Sequence, residues 1–143
     1  MKQLYLLIIL IIFIGCGATK RIHFQTDTFM SNGLKENFEI SVPSDYVKAT
    51  SNLEIYILRK WIYEKNGLLY ISLDISFADS PNIQNWMKCS DASTAKKCTE
   101  GVDDDGKYWK ELLIDNLVVG YKDVPMERKN EFDNAILSMK KVE

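Results

Sequence analysis

The stretch LEIYILRKWIYEKNGLLYISLDISFA, residues 53–78, decides the fold, because two apolar-rich runs flank Asn66-Gly67. Asn-Gly is the strongest two-residue signal for a β-hairpin, since a type I′ turn needs positive φ at both central positions. A turn on these two residues pairs the strands so that facing residue numbers sum to 133. The sequence therefore predicts an antiparallel hairpin with a fixed register.

In this register the two faces of the hairpin differ in character. Ile62 opposite Ile71 lies on a core face, and a shift by one residue would mix the faces. Lys60 is a misfit, since it faces Leu73 on the same core side. The other face carries three aromatic rings and a pair of opposite charges, contributed by Arg59, Trp61, Tyr63, Tyr70 and Asp74.

This second face, the aromatic face, is the candidate binding face. Tyr, Trp and Arg are the residue types enriched at protein-interface hot spots, and planar rings also stack on sugars. The alternative is that a helix, above all the C-terminal one, covers the aromatic face and makes it part of the core.

Two further stretches predict antiparallel strands. Apolar and polar residues alternate over residues 38–42, which indicates a half-buried strand that ends at Pro43. A second hairpin is predicted over residues 108–122 around Asp115-Asn116, with Leu112 opposite Val119.

Helical signals complete an α+β domain. Ser80-Pro81 is typical of a helix start, and this short helix would end near Cys89. Residues 90–106 are polar and indicate a long loop. After Pro125, helical spacing of apolar residues predicts a C-terminal helix with Lys140 and Lys141 in its last turn. We expect an antiparallel sheet of about five strands, with the short helix and the C-terminal helix packed on one face.

An export signal precedes the domain. Lys2 is followed by an apolar run over residues 4–14, which is too short to cross a bilayer core of roughly 20 helical residues. The run suits the apolar part of a signal peptide. Its end, Phe13-Ile14-Gly15-Cys16, resembles a bacterial lipoprotein signal, in which cleavage occurs before a cysteine that carries diacylglycerol.

This resemblance divides the chain into three parts. It implies a signal peptide over residues 1–15, a lipidated Cys16 with a tether over residues 16–36, and one globular domain over residues 37–143. A short strand at residues 22–29 fits within the tether. Ordinary secretion without a lipid is the alternative.

The cysteine count agrees with export. Three cysteines are an odd number, and if Cys16 takes the lipid, Cys89 and Cys98 remain to form a disulfide in an oxidising compartment. Closing that loop contributes about 2.7 kcal/mol in the chain-entropy account. A metal site is the weaker interpretation, because the pair lacks CxxC spacing and His23 lies far upstream. We therefore expect a structural disulfide and neither a metal nor a cofactor.

The charge of the mature chain excludes one class of partner. Removing Lys2 from 18 basic residues leaves 17 against 20 acidic ones, a formal charge of −3. A mildly acidic domain without a basic stripe gives no footprint for nucleic acid. The same reasoning predicts no attraction to anionic lipid, so membrane attachment would come from the acyl chains on Cys16.

Catalytic and metal-binding motifs find little support. In the acidic loop of residues 100–106, Asp103 and Asp105 fit two positions of a calcium loop, but Leu112 stands where a bidentate glutamate belongs. A solvated acidic turn is the better interpretation. A serine triad would have to recruit His23, and neither GxSxG nor a phosphate-binding glycine loop is present. A carboxylate pair for glycoside cleavage stays open, but the sequence does not predict an enzyme.

A second resemblance concerns the domain itself. Phe38-Glu39-Ile40-Ser41-Val42-Pro43 and the string FDNAILS at residues 132–138 resemble the opening and closing of small Mog1/PsbP-like envelope domains, which have an antiparallel sheet and a closing helix. No ligand residues follow from it. Gly17 after the lipid cysteine, rather than Asp, resembles a sorting signal for the outer membrane, facing the periplasm.

The predicted function is a non-catalytic, protein-binding envelope lipoprotein, acting for example as an inhibitor or an immunity protein. Two alternatives stay open. One is a structural or assembly accessory of an envelope complex, and the other is a binder of glycan or another small ligand through Trp61, Tyr63 and Tyr70.

Overall fold

The computed structural model describes residues 18–26, 36–51, 57–64, 67–73, 87–88, 97–115 and 117–143. Over these ranges the chain forms ten strands, one 3₁₀ turn and one α-helix. The strands are Thr19–Thr26 (β1), Glu36–Pro43 (β2), Tyr46–Ser51 (β3), Ile57–Tyr63 (β4), Leu68–Leu73 (β5), Met87–Lys88 (β6), Lys97–Val102 (β7), Tyr108–Ile114 (β8), Leu117–Val124 (β9) and Lys140–Val142 (β10). The 3₁₀ turn spans Met126–Arg128 and the helix, α1, spans Lys129–Leu137.

The strands form two antiparallel sheets. One has three strands in the order β1-β2-β10, and the other has seven in the order β3-β4-β5-β9-β8-β7-β6. The predicted α+β class, with an antiparallel sheet and a C-terminal helix, is confirmed at this level. The expectation of one sheet of about five strands is wrong, because segments expected to be tether and loop also pair as strands.

The hydrophobic core lies between the two sheets and the helix. Phe38 and Ile40 of β2, Leu69 of β5, Val119 of β9 and Phe132 of α1 are fully buried in one cluster. The helix contacts β2, β8 and β9. The face of the seven-stranded sheet turned toward this core is called the helix-side face, and the other is called the far face.

Two strand predictions are confirmed. In β2, Phe38, Ile40 and Val42 point into the core, and the strand ends at Pro43 as the alternation predicted. In the second hairpin, Leu112 pairs with Val119 across the turn at Asp115. Asp115 has a φ of 48°, the left-handed conformation that Asp tolerates in tight turns.

The register of the first hairpin is wrong in the prediction. Trp61 pairs with Leu69 and Lys60 pairs with Tyr70, so facing residue numbers sum to 130 rather than 133. The Tyr63 amide donates a hydrogen bond to the Gly67 carbonyl at 3.0 Å, which closes a loop of three residues instead of two. An odd shift exchanges the two faces of one strand relative to the other.

The observed register buries Trp61 and Tyr63 and removes the Lys60 misfit. Trp61 and Tyr63 enter the core together with Leu69, whereas Lys60 moves to the far face. Gly67 leaves room for the helix, because a Cβ built on it would lie 3.1 Å from the Phe132 ring. The core therefore selects the three-residue loop over the turn that the local Asn-Gly signal favours.

Three expected irregular or helical segments contain strands. β1 overlaps the short strand predicted within the tether at residues 22–29, but it begins earlier, at Thr19, and pairs along its whole length with β2. Phe24 of β1 stacks on Phe38 at 5.6 Å. β7 occupies part of the predicted loop at residues 90–106. Met87–Lys88, expected at the end of the short helix, is a strand that pairs with β7. The rest of that predicted helix lies outside the described residues.

The C-terminal helix is shorter than the sequence predicted. It buries Phe132, Ala135 and Ile136 but ends at Leu137. Lys140 and Lys141, expected in its last turn, instead belong to β10 and pair with β2. Their side chains meet Glu39 and Glu36 respectively.

Candidate functional site

The predicted aromatic face does not exist as one surface. Trp61 is 3 % exposed and Tyr63 is 2 % exposed, and both belong to the core cluster. Tyr70 is buried on the far face. Arg59 faces Ile71 rather than Asp74, and its guanidinium lies 5.3 Å from the Phe24 ring centroid. Asp74 lies outside the described residues.

Tyr63 illustrates why the alternative interpretation was correct for the first strand. Its ring meets Phe132 of α1 edge-on at 4.9 Å, and its hydroxyl donates to the Pro43 carbonyl at 3.2 Å. Burial, followed by the charge of Asp45, raises the pKa of Tyr63 well above its ordinary value. The terminal helix covers this part of the aromatic face.

Arg128 links the start of α1 to the turn between β2 and β3 through ion pairs. Its guanidinium donates to Asp45 Oδ1 and to Glu131 Oε2, each at 2.9 Å. It also lies 5.2 Å from the Tyr63 ring centroid and 5.1 Å from that of Phe132, a cation–π geometry. Arg128 is therefore engaged in structure rather than presented to a ligand.

A charged network lies at the edge of the core between β8 and α1. Lys110 is 6 % exposed, and its Nζ lies 3.1 Å from Glu100 Oε2 and 3.3 Å from Asp133 Oδ1. Lys129 Nζ lies 2.6 Å from Asp133 Oδ2, and the Tyr121 hydroxyl donates to Asp133 Oδ1 at 2.9 Å. The network joins β7, β8, β9 and α1 by paired charges.

The pKa values in this network follow from the pairing. Burial alone would raise the pKa of Asp133, but hydrogen bonds from Lys129 and Tyr121 hold it below its ordinary value. Burial alone would lower the pKa of Lys110, but its contacts with Glu100 and Asp133 hold it above. Both groups are therefore held in their charged forms, as partners in structure rather than as a proton donor and acceptor near neutrality.

A buried polar pair lies on the far face. The Tyr70 hydroxyl donates to Glu111 Oε1 at 2.5 Å, and Glu111 is 4 % exposed. The pair lies over Gly120, where an added Cβ would come within 2.7 Å of the Tyr70 oxygen. Burial, and then the Glu111 charge, raises the pKa of Tyr70 well above its ordinary value.

The sequence analysis missed both polar clusters. The partners are far apart along the chain, since Tyr70 precedes β8 in the sequence and Asp133 follows it. The available signal was Lys110-Glu111, a charged pair inside a strand between Trp109 and Leu112. Alternation sends the two charges to opposite faces of the sheet, so each would need a partner once both faces are buried.

Two grooves open at one end of the domain, and Lys107 lines both. One, of about 690 Å³, begins at Ala18 and runs past residues of the β2–β3 turn and the helix start: Ser44, Asp45, Glu127, Arg128 and Glu131. The other, of about 470 Å³, is lined by Lys60, Ile62, Lys122, Asp103, Asp105 and Asp123. This end is called the groove end. Met126, 68 % exposed, lies between two residues of the first groove, Pro125 and Glu127.

The acidic turn at the groove end is held by its own backbone. Asp103 Oδ1 accepts hydrogen bonds from the amides of Asp105 and Lys107, at 3.0 and 2.8 Å. Gly106 has a φ of 74°, which a glycine adopts without strain. Among the residues that the structure describes, no group of three or more His, Cys, Asp or Glu side chains is placed to hold a metal ion.

The outer face of the three-stranded sheet brings together basic side chains from strands that are far apart in the chain. Arg21 and His23 of β1 and Lys140 of β10 surround Glu39 of β2, at 3.5, 3.5 and 3.4 Å. All three side chains are mostly exposed, whereas the Glu39 side chain is only 11 % exposed. The sequence analysis found no basic stripe because these residues lie far apart in the chain.

Of the three cysteines, the structure describes Cys98. Cys98 is a buried residue of β7 and is disulfide-bonded. Cys16 and Cys89 lie outside the described residues, so the Cys89–Cys98 pairing and the lipidation of Cys16 stay predictions. No helix in the described part of the chain is long and apolar enough to cross a membrane.

Comparison with protein-family models, with curated proteins and with solved structures finds no match to this chain. The resemblances to lipoprotein signals and to Mog1/PsbP-like domains therefore stay predictions from the sequence.

Proposed function

We propose that this chain is a lipid-anchored protein of a bacterial envelope, acting as a non-catalytic module that binds a protein partner. The observation that carries the proposal is the disulfide at Cys98, buried in β7, combined with the lipoprotein-like signal that ends at Cys16. A structural disulfide favours an oxidising compartment outside the cytoplasm. With Cys89 as the proposed partner of Cys98, Cys16 remains for the lipid that the signal implies.

The partner surface proposed is the groove end. Trp61, Tyr63 and Tyr70 are buried and cannot contact a partner in this fold. Met126 is exposed beside the first groove, and charges of both signs line the two grooves. An exposed apolar residue with a polar rim is typical of protein interfaces. An inhibitor, an immunity protein and an assembly accessory would all use such a surface.

The glycan alternative has lost its structural basis. It placed the sugar on the rings of Trp61, Tyr63 and Tyr70, and none of these rings is accessible for stacking. The accessory role stays as the second candidate, because it needs only a protein-binding surface and an anchor.

The anchor is tested by changing its cysteine. We expect Cys16→Ser to abolish acyl labelling and to move the protein out of the membrane fraction. Cys98→Ser is the matched control, since it removes a different cysteine and should leave acylation intact. Membrane retention and labelling of Cys16→Ser would contradict the anchor.

The partner surface is tested by photo-crosslinking in cells of the source. A photo-reactive residue at Met126, at the groove end, should yield one specific protein adduct identified by mass spectrometry. The control position is Leu137, an exposed apolar residue at the end of α1, which should yield none. Adducts at Leu137 but not at Met126 would move the partner surface away from the grooves.

A further inference from the structure

We propose that the outer face of the three-stranded sheet lies against the anionic lipid headgroups of the membrane that holds Cys16. This inference rests on the proposed lipidation of Cys16, and it adds which surface faces the lipid. The face is formed by alternate residues of three strands: Arg21, His23 and Gln25 of β1, Asn37, Glu39 and Ser41 of β2, and Lys140 of β10.

The first argument is the length of chain between the anchor and the fold. Only Gly17 and Ala18 separate Cys16 from Thr19, the first residue of β1. Three residue steps span at most about 10 Å. The Ala18 carbonyl already accepts a hydrogen bond from the Ser44 amide at 2.8 Å, so the ordered chain extends to within two residues of the lipid. Residues 19–26 of the predicted tether form β1, so the domain lies close to the headgroups.

The second argument is the sign of the charge on this face. Arg21 and Lys140 carry permanent positive charges, with side chains 68 % and 62 % exposed. Glu39 is the acidic residue among them, and it lies below their side chains, largely buried. The positive groups are therefore the ones that reach the solvent. Each basic residue near an anionic membrane surface contributes about 1 kcal/mol of attraction.

The competing orientation places the groove end against the membrane. That end also lies near the anchor, since Ala18 lines its first groove, and Met126 is exposed there. Its exposed turn, however, carries Asp103, Asp104 and Asp105, which anionic headgroups repel. Charge therefore favours the outer face of the three-stranded sheet. With that face on the lipid, the groove end is left to the protein partner.

This orientation differs from the expectation drawn from net charge alone. A mature chain of formal charge −3 predicts no attraction to anionic lipid. The fold separates the charges, however, and brings β1 and β10 to either side of β2. A protein that is acidic as a whole thereby presents a cationic face beside its anchor.

The test measures which face touches lipid. The full mature chain with its acyl group is purified from membranes and placed on phosphatidylcholine vesicles, with or without phosphatidylglycerol. An environment-sensitive fluorophore is attached through Gln25→Cys on the outer face, or through Asp104→Cys on the acidic turn. Lipids with a quencher in the headgroup region report the proximity of the fluorophore. We expect strong quenching at position 25 only with phosphatidylglycerol, its loss at high salt, and weak quenching at position 104.

Charge variants test whether electrostatic attraction causes the proposed orientation on the membrane. Arg21→Gln with Lys140→Gln should lower the preference for the bound orientation roughly 30-fold. Lys48→Gln with Lys97→Gln removes the same number of charges elsewhere, at exposed positions outside both grooves, and should leave quenching at position 25 unchanged. Circular dichroism of both pairs checks that the fold is kept.

Two different failures are distinguishable. If the chain floats with vesicles but quenching at position 25 does not depend on phosphatidylglycerol, the proposed orientation is wrong and the proposed anchor is kept. The same conclusion follows if quenching is stronger at position 104 than at position 25. If the purified chain carries no acyl group and does not float, the proposed anchor is wrong and the orientation falls with it.

Discussion

At the scale of single residues, Gly120 shows how closely the far face is packed. A Cβ at this position would lie 2.7 Å from the Tyr70 oxygen, 2.8 Å from the Lys110 carbonyl oxygen and 2.9 Å from Glu111 Cγ. One of these atoms belongs to the backbone, so the strand itself would have to move. The absence of a side chain at Gly120 is what allows the Tyr70–Glu111 hydrogen bond to lie flat against β9.

We expect Gly120→Ala to lower the free energy of unfolding by about 1–3 kcal/mol, the usual cost of overpacking. Tyr70→Phe removes the closest contacting atom, so the double variant should lose less than the two single losses together. Urea denaturation of the four proteins measures the coupling. Gly106→Ala is the control, because its strain comes from a φ of 74° and no atom lies within 4 Å of the added Cβ. Equal coupling at both glycines would show that contact with Tyr70 is not the cause.

At the scale of elements, the sequence predicts strand pairing correctly where the turn and the apolar pattern favour the same register. The Leu112–Val119 register was predictable because Asp115-Asn116 and the apolar alternation agree on the same pairing. The predicted register of the first hairpin is wrong because its turn and its core favour different pairings, and burial of Trp61 and Tyr63 in the core outweighs the Asn-Gly preference. β1 was predicted only as a short strand at residues 22–29, and β10 was missed, because both gain their stability from a partner, β2, that no local pattern identifies.

The candidate site was predictable to a smaller extent. Tyr, Trp and Arg on one hairpin face indicated binding, but an aromatic stripe has the same appearance whether solvent or a helix covers it. The cationic outer face needed knowledge that Arg21 and Lys140 flank the same strand. Only the fold supplies that.

The contact between α1 and the hairpin is the element-scale interaction with the clearest test. Phe132 is fully buried against Tyr63, Tyr121 and Gly67. We expect Phe132→Ala to cost about 3–5 kcal/mol, measured by chemical denaturation. Leu137→Ala, at an exposed position of the same helix, should change stability by no more than about 0.5 kcal/mol. Similar losses for both variants would mean that Phe132 contributes no more to stability through packing than the exposed Leu137 does.

At the scale of the whole molecule, three buried tyrosines link stability to alkaline pH. Burial is the main cause that raises the pKa of Tyr63, Tyr70 and Tyr121, followed by the charges of Asp45, Glu111 and Asp133 respectively. A raised pKa in the folded state means that the unfolded chain releases its protons first. The stabilisation is complete below the ordinary tyrosine pKa of 10.0 and is lost as pH rises above it.

We therefore expect the free energy of unfolding to fall steeply above pH 10, with the buried tyrosines ionising only as the chain unfolds. Phenolate absorbance and circular dichroism, recorded on the same samples, should show one ionisation phase that precedes unfolding and a second that coincides with it. In Tyr70→Phe the second phase should shrink. A single phase near the ordinary pKa, with the fold intact, would contradict burial of these rings.

The disulfide acts on the whole domain by restricting the unfolded chain. We expect Cys98 to be bridged to Cys89, so reduction should add two hydrogen atoms to the intact mass, and peptide mapping should recover the 89–98 pair. The loss of the bridge should cost about 2–3 kcal/mol. A bridge that joins Cys98 to Cys16 would remove the thiol on which lipidation depends.

The position of β2 between β1 and β10 has a consequence for export. Lys140 pairs with Glu39, about a hundred positions earlier in the chain. A chain that crosses the membrane from its N-terminus delivers β1 and β2 early, and two strands alone are marginally stable. Until residues 140–142 arrive, β2 keeps an open edge that another chain can pair with. Under the proposed export, the part of the domain next to the proposed anchor is translocated first and completed last, so crowding of half-exported chains would endanger this sheet most.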